Sequence, residues 1–404
     1  MPTSEELKML QALPLELKIE RSKERIRDWV YYWGVDHVYV AFSGGKDSTV
    51  LLHLVRSIFG EEIPAVFINT GLEFPEIQRH VRSFPNVVIL TPNMNFRDVL
   101  STYGYPVIGK EVAHCIEATR NYVSRKLEGN RELHYNHLSP DYWSKARDDA
   151  LNRKKGTSLV QVLFGVGLAE PKQNTKGIEV KSRFSGEKYT SLLNADFKIS
   201  DMCCTVMKKD VSHDYQVKEK RHPFIGTLAE ESSIRRASWL RNGCNVFDGD
   251  KASSKPLSFW TEQDILHYIK ENEIKIADVY GEIVPMALDG QIRLDETYKL
   301  RCSGRDRTGC IYCPFGAHSE SLQTEGRFVR LAKTHPKQYA YTMNGGAYDP
   351  EDGYWKPTKE GLGFSHVFDE MNRLLPTKTG RPFIRYRPEG DEMERARKLA
   401  EEKQ

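Results

Sequence analysis

The spacing of apolar residues changes from a period of two to a period near 3.6 along residues 37–60. The run "HVYVAF" (37–42) is rich in β-branched and aromatic residues and predicts a strand. From Asp47 onward, apolar residues recur with helical spacing, and Gly60 can end that helix. The residues of this helical face are Val50, Leu51, Leu54, Val55 and Ile58. The pattern predicts a strand, a turn and a helix.

The same alternation continues toward residue 90. The run "AVFIN" (65–69) predicts a second buried strand, "FPEIQRHVRSF" (74–84) a helix and "NVVIL" (86–90) a third strand. Strands separated by helices of this length indicate right-handed crossovers, and therefore an α/β fold with a doubly wound parallel sheet. Ligands of such sheets bind at the carboxyl ends of the strands, where the turns at Ser43 and Thr70 lie.

Helical patterns flank this alternation. Residues 1–35 predict a leading helical segment with an apolar stripe of Leu15, Leu17, Ile19, Ile26 and Trp29. The run "TEQDILHYIKEN" (261–272) begins with a Thr-x-x-Asp cap ahead of Ile265, Leu266 and Ile269. The last residues, "DEMERARKLAEEKQ", predict a charged helix.

These patterns predict three parts of the chain. Residues 1–35 form an N-terminal helical segment. Residues 36–250 form a nucleotide-binding α/β domain with an α-rich insertion at about 112–200. Residues 251–404 form a C-terminal helical region that carries a Cys-x-x-Cys loop.

Composition and charge narrow the function classes only slightly. The chain has 404 residues and a net charge of +3, which is no overall nucleic-acid signature. Residues 151–221 hold 14 Lys and Arg against 8 Asp and Glu, which suits a solvated surface as well as a polyanion partner. The start "MPTSEELKML" lacks the features of a signal peptide, and no apolar run is long enough to span a bilayer. The sequence therefore predicts a cytoplasmic protein without membrane partners, whose seven cysteines are reduced and available for metal binding or catalysis.

The turn after the first strand has the composition of an anion-binding loop. Gly44 and Gly45 allow positive φ, so that several backbone N–H groups can converge on one anion. The following helix adds its positive N-terminal end, and Lys46 adds a point charge. Hydroxyls are offered by Ser43, Ser48 and Thr49. The loop lacks the first glycine of a Walker motif, and an ordinary glycine-rich strand–helix turn is the alternative.

The residues Ser43-Gly44-Gly45-Lys46-Asp47-Ser48 match the Ser-Gly-Gly-x-Asp-Ser signature, so the loop resembles that of the PP-loop ATP pyrophosphatases. The resemblance implies a Rossmann-like HUP fold. It also implies that the loop holds pyrophosphate while ATP is split between its α and β phosphates. Lys46 would then stabilise the charge on the leaving pyrophosphate, and Asp47 would orient the loop or a metal ion.

Three further blocks resemble the phosphoadenosine phosphosulfate (and adenylylsulfate) reductase branch of that superfamily. They are "NTGLEFPE" (69–76), "YPVIGKE" (105–111) and "GTLAEESSIRR" (226–236). The resemblance implies that Lys110 acts in catalysis near the charged groups of the nucleotide. It implies nucleotide contacts for Thr70, Gly71, Glu73, Gly226, Arg235 and Arg236. Asn69 replaces the aspartate of the branch, which weakens a metal role there; a loop acid for Glu73 and a solvated helix face for residues 235–236 are the alternatives.

The cysteines form two close pairs. Cys203 and Cys204 are adjacent, and Cys310 and Cys313 form a Cys-x-x-Cys turn, which can direct two thiolates at one metal. Adjacent cysteines suit tetrahedral zinc poorly. By resemblance to adenylylsulfate reductases, the four imply a [4Fe–4S] cluster; a zinc site and unmetallated buried thiols are the alternatives. Cys302 could replace one ligand or serve as a redox thiol, whereas Cys115 and Cys244 fit core positions. Four cations could offset thiolate charge or face an anionic substrate; they are Lys208, Lys209, Arg305 and Arg307.

The chain departs from the reductases in two respects. No cysteine follows Cys313, although those enzymes use a C-terminal cysteine as nucleophile. The phosphate loop keeps its complete signature, whereas reductases usually carry altered loops. The combination resembles iron–sulfur ATP pyrophosphatases that serve sulfur transfer, such as those of DNA phosphorothioation and tRNA thiolation.

This resemblance implies an enzyme that uses ATP and Mg²⁺ to adenylate an acceptor, either nucleic acid or small molecule. It implies as a further partner a sulfur donor protein such as a cysteine desulfurase. A reductase that forms sulfite from adenylylsulfate or its 3′-phospho form, with Cys302 as the thiol, is one alternative. An ATP-binding, nucleic-acid-associated module without turnover is the other.

Overall fold

The structure is a computed structural model, and it describes residues 2–124, 140–152, 158–165, 172–173, 179–180, 186–249, 252–286, 299–323 and 325–388. The α-helices are α1 Ser4–Gln11, α2 Leu15–Trp33, α3 Lys46–Phe59, α4 Pro75–Arg82, α5 Phe96–Thr102, α6 Lys110–Tyr122, α7 Pro140–Asn152, α8 Leu159–Phe164, α9 Asp210–Glu219, α10 Ser233–Asn242, α11 Glu262–Glu271, α12 Ala317–Gln323, α13 Arg327–Thr334, α14 Pro336–Met343 and α15 Phe364–Leu374. None of the described helices is long and apolar enough to cross a membrane. The predicted charged helix at the end of the chain lies outside the described residues.

The strands are β1 Val38–Ala41, β2 Ala65–Ile68, β3 Val87–Leu90, β4 Lys172–Gln173, β5 Glu179–Val180, β6 His222–Ile225, β7 Asn245–Val246, β8 Ser253–Ser254, β9 Ile283–Pro285, β10 Leu300–Cys302, β11 Ala347–Tyr348 and β12 Trp355–Lys356. The chain divides into two compact units. The first unit comprises Met1–Asn93 and Met207–Ile311, and the second comprises Met94–Val206 and Tyr312–Gln404. The domain boundaries read from the sequence stay a prediction.

A six-stranded sheet forms the centre of the first unit, in the order β3-β2-β1-β6-β8-β7. Neighbouring strands run parallel from β3 to β8, and β7 is antiparallel to β8. The predicted α/β class with a Rossmann-like, largely parallel sheet is confirmed. The strand order reverses between β1 and β6, and ligands of such sheets bind in the crevice beside this point. The turn that begins at Ser43 leaves the carboxyl end of β1 and therefore lies at this crevice.

The predicted pattern of the first strand and helix is confirmed. Val38 and Val40 on one face of β1 and Tyr39 on the other are all buried, because a parallel sheet covered on both faces needs apolar side chains on both sides of each strand. In α3, the predicted face is almost completely buried, and Gly60 ends the helix with φ +60°. The strands β2 and β3 and the helix α4 also lie where the apolar pattern predicts them.

The leading helical segment packs differently from its predicted stripe. Ile26 and Trp29 are fully buried, but Leu17 is 53% exposed, so its assignment to the stripe is wrong. Lys18 points inward instead, because its ammonium donates to the Asp264 carboxylate at 2.7 Å and to the Gln11 carbonyl. An ion pair of this kind makes the burial of a lysine tolerable. The predicted Thr261 cap of α11 is confirmed, since the Thr261 hydroxyl accepts from the Asp264 N–H.

The second unit is largely helical in its described parts. Tyr105, Phe197 and Phe364 pack edge to face in its core, and the Tyr105 hydroxyl donates to the Leu362 carbonyl at 2.8 Å. The guanidinium of Arg120 at the end of α6 donates to four backbone carbonyls between residues 192 and 197. This arrangement holds the loop that leads toward Cys203.

Candidate functional site

The turn from β1 into α3 requires glycine at its second position. Gly44 has φ +71°, and a Cβ there would lie 2.7 Å from Val81 Cγ2 and 2.8 Å from Ile77 Cγ2. Gly45 caps α3, and its carbonyl accepts from the hydroxyls of Ser48 and Thr49. The backbone is therefore forced into a tight turn at the positive end of a helix, which is the geometry of an anion site.

Lys46 lies at the first position of α3, and its side chain is only 4% exposed. Its ammonium donates to the Asp306 carbonyl at 2.7 Å and pairs with the Glu262 carboxylate at 2.9 Å. Its backbone N–H donates to the Tyr280 hydroxyl at 3.1 Å. Burial lowers the pKa of Lys46, but the carboxylates of Asp47 and Glu262 together raise it by more, so the net pKa is above its usual value. Lys46 is therefore a fixed positive charge.

Positive groups converge on Asp47, next to Lys46. Burial raises the pKa of Asp47, although the charges of Lys46, Arg307 and Arg235 lower it in part. Its Oδ1 atom is buried and has no hydrogen-bond partner among the described residues. Burial and the neighbouring Arg307 lower the pKa of Arg235, and burial and Arg235 lower the pKa of Lys255. Neighbouring cations thus lower the pKa values of Arg235 and Lys255, while Glu262 pairs with Lys46 and Glu231 pairs with Arg235.

The predicted site residues from the chain around Gly226 lie at different distances from this loop. A Cβ on Gly226 would lie 3.1 Å from the Asp47 carbonyl oxygen and the Ser48 Cα, so the strand end after β6 approaches the phosphate loop closely. The charge of Arg235 partly lowers the pKa of Asp47, and its guanidinium pairs with Glu231. Arg236 instead hydrogen-bonds the Ser4 hydroxyl of α1. The structure thus brings Gly226 and Arg235 to the loop and directs Arg236 toward α1.

The turn after β2 satisfies its own polar groups. Glu73 accepts from the Thr70 N–H at 3.0 Å and from the Thr70 hydroxyl at 2.7 Å. The Gly71 N–H donates to the Asn69 side-chain oxygen. Lys208 lies 3.4 Å from the Glu73 carboxylate. The predicted nucleotide contacts of this turn stay a prediction, and its donors already have protein acceptors.

Lys110 belongs to the second unit, where it is the exposed first residue of α6. Its neighbours on that helix include His114 and Glu117. The Nδ1 atom of His114 lies 3.2 Å from Asp201, and Glu117 accepts from the Ser200 hydroxyl. These pairs hold the start of α6 against the loop before Cys203.

The four cysteines proposed as metal ligands are half-buried. Cys203 and Cys204 lie in the second unit with sulfur atoms 4.0 Å apart, and they precede the π-helical turn Thr205–Lys209. Cys313 is also in the second unit, and its carbonyl accepts from Arg327. Cys310 is in the first unit.

Cations accompany both members of the Cys-x-x-Cys turn within their own units. Burial lowers the pKa of Lys208, but the Cys310 thiol and Glu73 raise it to a net value above normal. Burial also lowers the pKa of Arg327, but Glu320 and then Cys313 raise it to a net value above normal. Positive charges beside sulfur are suited to thiolate ligands, whose negative charge they offset.

The other three cysteines lie in poor settings for a nucleophile. Burial and the nearby Glu111 raise the pKa of Cys115 to about 11. Burial raises the pKa of Cys244, and burial together with Asp306 and Glu262 raises the pKa of Cys302 despite the opposing effect of Lys46. Because the thiolate is the reactive form, these thiols are weakly reactive.

Sequence reasoning missed several contacts of the phosphate loop. Tyr280 is 2% exposed and bonds both the Lys46 N–H and the Thr308 hydroxyl, the latter at 2.6 Å. Glu262 and the Asp306 carbonyl supply the remaining partners of Lys46. These residues lie more than 200 positions after Lys46, and no local motif marks them. Only the tight Tyr280-Gly281 turn, where Gly281 has φ +65°, gives a sequence signal.

A family comparison identifies the segment that contains both turns. The phosphoadenosine phosphosulfate reductase domain matches residues 37–96, which span β1 to β3. The resemblance to the phosphoadenosine phosphosulfate reductase-like family is thereby confirmed for this segment. The match supports nucleotide-related sulfur chemistry and an enzyme of the PP-loop kind.

Two individual proteins show similarity as well. An uncharacterised protein of Methanocaldococcus jannaschii is 44% identical over 100 residues, which are 24% of this chain and 20% of that protein. The match therefore spans about a fifth of the length of that relative. A crystal structure of phosphoadenylyl-sulfate (PAPS) reductase from Candida auris, in complex with phosphate, is 12% identical and covers 69% of this chain and 91% of its own. Its TM-score of 0.29 is too low to carry an argument.

Proposed function

We propose that this chain, which belongs through residues 37–96 to the phosphoadenosine phosphosulfate reductase-like family of the PP-loop superfamily, is an ATP pyrophosphatase that adenylates an acceptor for sulfur transfer. One observation carries the proposal. A buried lysine at the start of α3 lies next to Asp47, whose Oδ1 has no partner among the described residues and whose carboxylate is acted on by the charges of Arg307 and Arg235. A triphosphate has enough negative charge to occupy such a cluster.

In the proposed reaction, an oxygen atom of the acceptor attacks the α phosphorus of ATP. The new P–O bond forms as the bond to the oxygen that bridges the α and β phosphorus breaks, and pyrophosphate leaves with that electron pair. Lys46 and the backbone N–H groups after Gly44 stabilise the charge that develops on the leaving group. A sulfur nucleophile then displaces AMP from the adenylated acceptor, so AMP leaves with the acceptor oxygen.

The residues fit Mg²⁺ at the phosphate loop. The buried Oδ1 of Asp47 has no partner among the described residues, and carboxylate oxygens are ligands that Mg²⁺ prefers. When bound, Mg²⁺ would neutralise phosphate charge during the transfer. Asp47 would hold the ion, and Arg235 would contact the outer phosphate oxygens through its guanidinium group.

The thiols fit a [4Fe–4S] cluster by their chemistry. Four half-buried cysteines occur in two close pairs, and Lys208 and Arg327 offset charge at Cys310 and Cys313. Ligation would come from Cys203, Cys204, Cys310 and Cys313, with zinc as the less favoured metal. When bound, the cluster would handle sulfur or hold the shape of its surroundings. A cysteine desulfurase is the proposed class of sulfur donor, and a nucleic acid is a proposed acceptor.

A sulfonucleotide reductase is less well supported, because it needs a reactive thiol to attack sulfur. Cys302 is the candidate thiol for that attack. Its side chain is buried, and its pKa is raised by burial and by nearby carboxylates. The complete phosphate loop would also have no role, since adenylylsulfate lacks β and γ phosphates.

The test is incubation of anaerobically purified full-length protein with Mg²⁺ and ATP labelled in the α phosphate, with nucleic-acid and small-molecule acceptors. We expect pyrophosphate release and a labelled adenylated acceptor or AMP. Lys46→Ala should lower the release at least about 100-fold, because it removes the fixed charge at the leaving group. Lys359→Ala is the matched control, because Lys359 is 86% exposed and pairs with its sequence neighbour Glu360.

Three outcomes contradict the proposal. Sulfite release from adenylylsulfate with a thiol donor, together with inert ATP, supports the reductase. Intact ATP retained on the protein, with salt-sensitive nucleic-acid binding, supports a binding module. Equal pyrophosphate release by Lys46→Ala and the parent protein places the cleavage at another site.

A further inference from the structure

Residues 303–310, which we name the strap, cross the phosphate loop within the first unit. The Asp306 carbonyl accepts from the Lys46 ammonium at 2.7 Å. The Thr308 hydroxyl bonds the Tyr280 hydroxyl, which in turn accepts from the Lys46 N–H. Two donors with which the loop would bind phosphate oxygen are therefore engaged by the strap and by Tyr280.

The strap is held at its start by backbone contacts with the Tyr280 turn. The N–H groups of Gly304 and Arg305 donate to the carbonyls of Tyr280 and Val279 at 2.9 and 3.0 Å. A Cβ on Gly304 would lie 2.6 Å from the Val279 carbonyl oxygen, so this contact requires glycine. The strap and the Tyr280 turn thus form one local assembly.

The other end of the strap is anchored near the turn after β2. The Arg305 guanidinium lies 4.6 Å from the Phe74 ring centre. Directly after the strap, the Ile311 N–H donates to the Leu72 carbonyl at 2.6 Å. At Cys310 the strap meets Lys208, which pairs with Glu73. Between these anchors, residues 306, 307 and 309 are exposed, so little apolar contact holds the middle of the strap.

We propose that the strap is an intramolecular competitor for the phosphate-binding groups of Lys46, and that ATP binds only when residues 303–308 lift from the loop and from the Tyr280 turn. This inference rests on the proposed function, and it names the regulation of that site. The Asp306 carbonyl, the Glu262 carboxylate and the Tyr280 hydroxyl are oxygen acceptors that engage the donors of Lys46, which a phosphate oxygen would also need. A ligand that needs a minor conformation binds with an affinity reduced by the population of that conformation.

The competition predicts an unusual sign for Tyr280→Phe. The variant removes an acceptor that Lys46 uses only in the strapped conformation, so that conformation loses stability and the ligand does not. We expect magnesium α,β-methylene-ATP, which cannot be cleaved at the α–β bond, to bind about three- to tenfold more tightly, the factor expected from one hydrogen bond. Tyr339→Phe is the matched control, because its hydroxyl donates to the Tyr386 carbonyl within the second unit.

Hydrogen exchange of the full-length parent protein tests the movement without a variant. On addition of the same nucleotide, we expect slower exchange in residues 43–49 and faster exchange in residues 303–308. The amides of Ser303, Gly304 and Arg305 report directly, since each has a backbone acceptor in the strapped conformation.

The outcomes separate this inference from the proposed function. Nucleotide binding with slower exchange in the strap, or weaker binding by Tyr280→Phe, means that the strap closes over the ligand and overturns the inference alone. Binding with unchanged exchange in the strap also overturns it, because nothing has then lifted. No protection of residues 43–49 at millimolar nucleotide contradicts the proposed function itself, and the inference with it.

Discussion

The two turns that leave β1 and β2 lie at the same edge of one sheet, yet they satisfy their polar groups differently. In the turn after β2, Glu73 accepts from Thr70, three residues before it. In the turn after β1, the donors of Lys46 find acceptors at residues 262, 280 and 306. A turn that closes on itself is a finished local structure, whereas one that depends on distant acceptors can exchange them for a ligand. The difference favours the first turn as the anion site.

The glycines offer the sharpest test of this contrast. Gly44 and Gly71 have φ of +71° and +74°, so alanine strains both backbones. A Cβ at Gly44 also meets Ile77 and Val81, whereas nothing lies within 4 Å at Gly71. We expect Gly44→Ala to lower the free energy of unfolding by about 2–4 kcal/mol and Gly71→Ala by about 1 kcal/mol, measured by urea denaturation. Equal losses would show that α4 yields to the added methyl group.

The carboxylates that accept from the two turns should show the opposite order of stability losses, with the larger loss at the turn after β2. Glu73 has a side chain that is 9% exposed and accepts two bonds from Thr70, so Glu73→Ala should cost about 1–3 kcal/mol of unfolding free energy. Glu262 is 40% exposed, and Glu262→Ala should cost less than about 1 kcal/mol. Thermal and urea unfolding of the two variants give the comparison. A larger loss for Glu262 would make the first turn the more rigid structure and reverse the argument.

A buried histidine lies between the two turns and gives a pH-dependent effect. His80, on the helix after the second turn, is 6% exposed and lies 3.2 Å from the Thr49 hydroxyl. Burial, with help from Lys275, lowers the pKa of His80 to about 4. Because the unfolded chain binds this proton more tightly, stability is present above about pH 6.5 and falls between pH 6.5 and 4.

The measurement is the pH dependence of the free energy of unfolding, compared between the parent protein and His80→Gln. We expect the parent to lose about 1–2 kcal/mol more than the variant over this range. Parallel curves would mean that the pKa of His80 is the same in the folded and the unfolded protein.

The sequence was sufficient to predict those elements of the first unit that depend on a local pattern of residues. The alternation of apolar residues predicted β1, α3 and β2 because each of these elements is fixed by its own pattern of burial. The tight turn from β1 into α3 was recognisable because its two glycines are adjacent in the chain. Tyr280 and Asp306 were not recognisable as partners of Lys46. They lie more than 200 residues away in the chain, and no local motif indicates which residue they contact.

Lys18 shows a second kind of error. The helical period placed Leu17 in the apolar stripe, but the structure buries Lys18 and exposes Leu17. Periodicity ranks residues by their usual preference, and it cannot foresee that Asp264 supplies a carboxylate at 2.7 Å. The specific pairing outweighs the average tendency of lysine to remain in water.

The Lys18–Asp264 pair connects α2 to the surroundings of Lys46. Asp264 caps α11, and the first residue of α11 is Glu262, which contacts Lys46. The hydroxyl of Ser22, one turn after Lys18, also bonds Trp260 and the Pro256 carbonyl, just before α11. A shortened protein that starts at β1 would therefore leave the Asp264 carboxylate without Lys18 and loosen Glu262, which pairs with Lys46. The first 35 residues therefore support the surroundings of Lys46, and removing them should disturb that region.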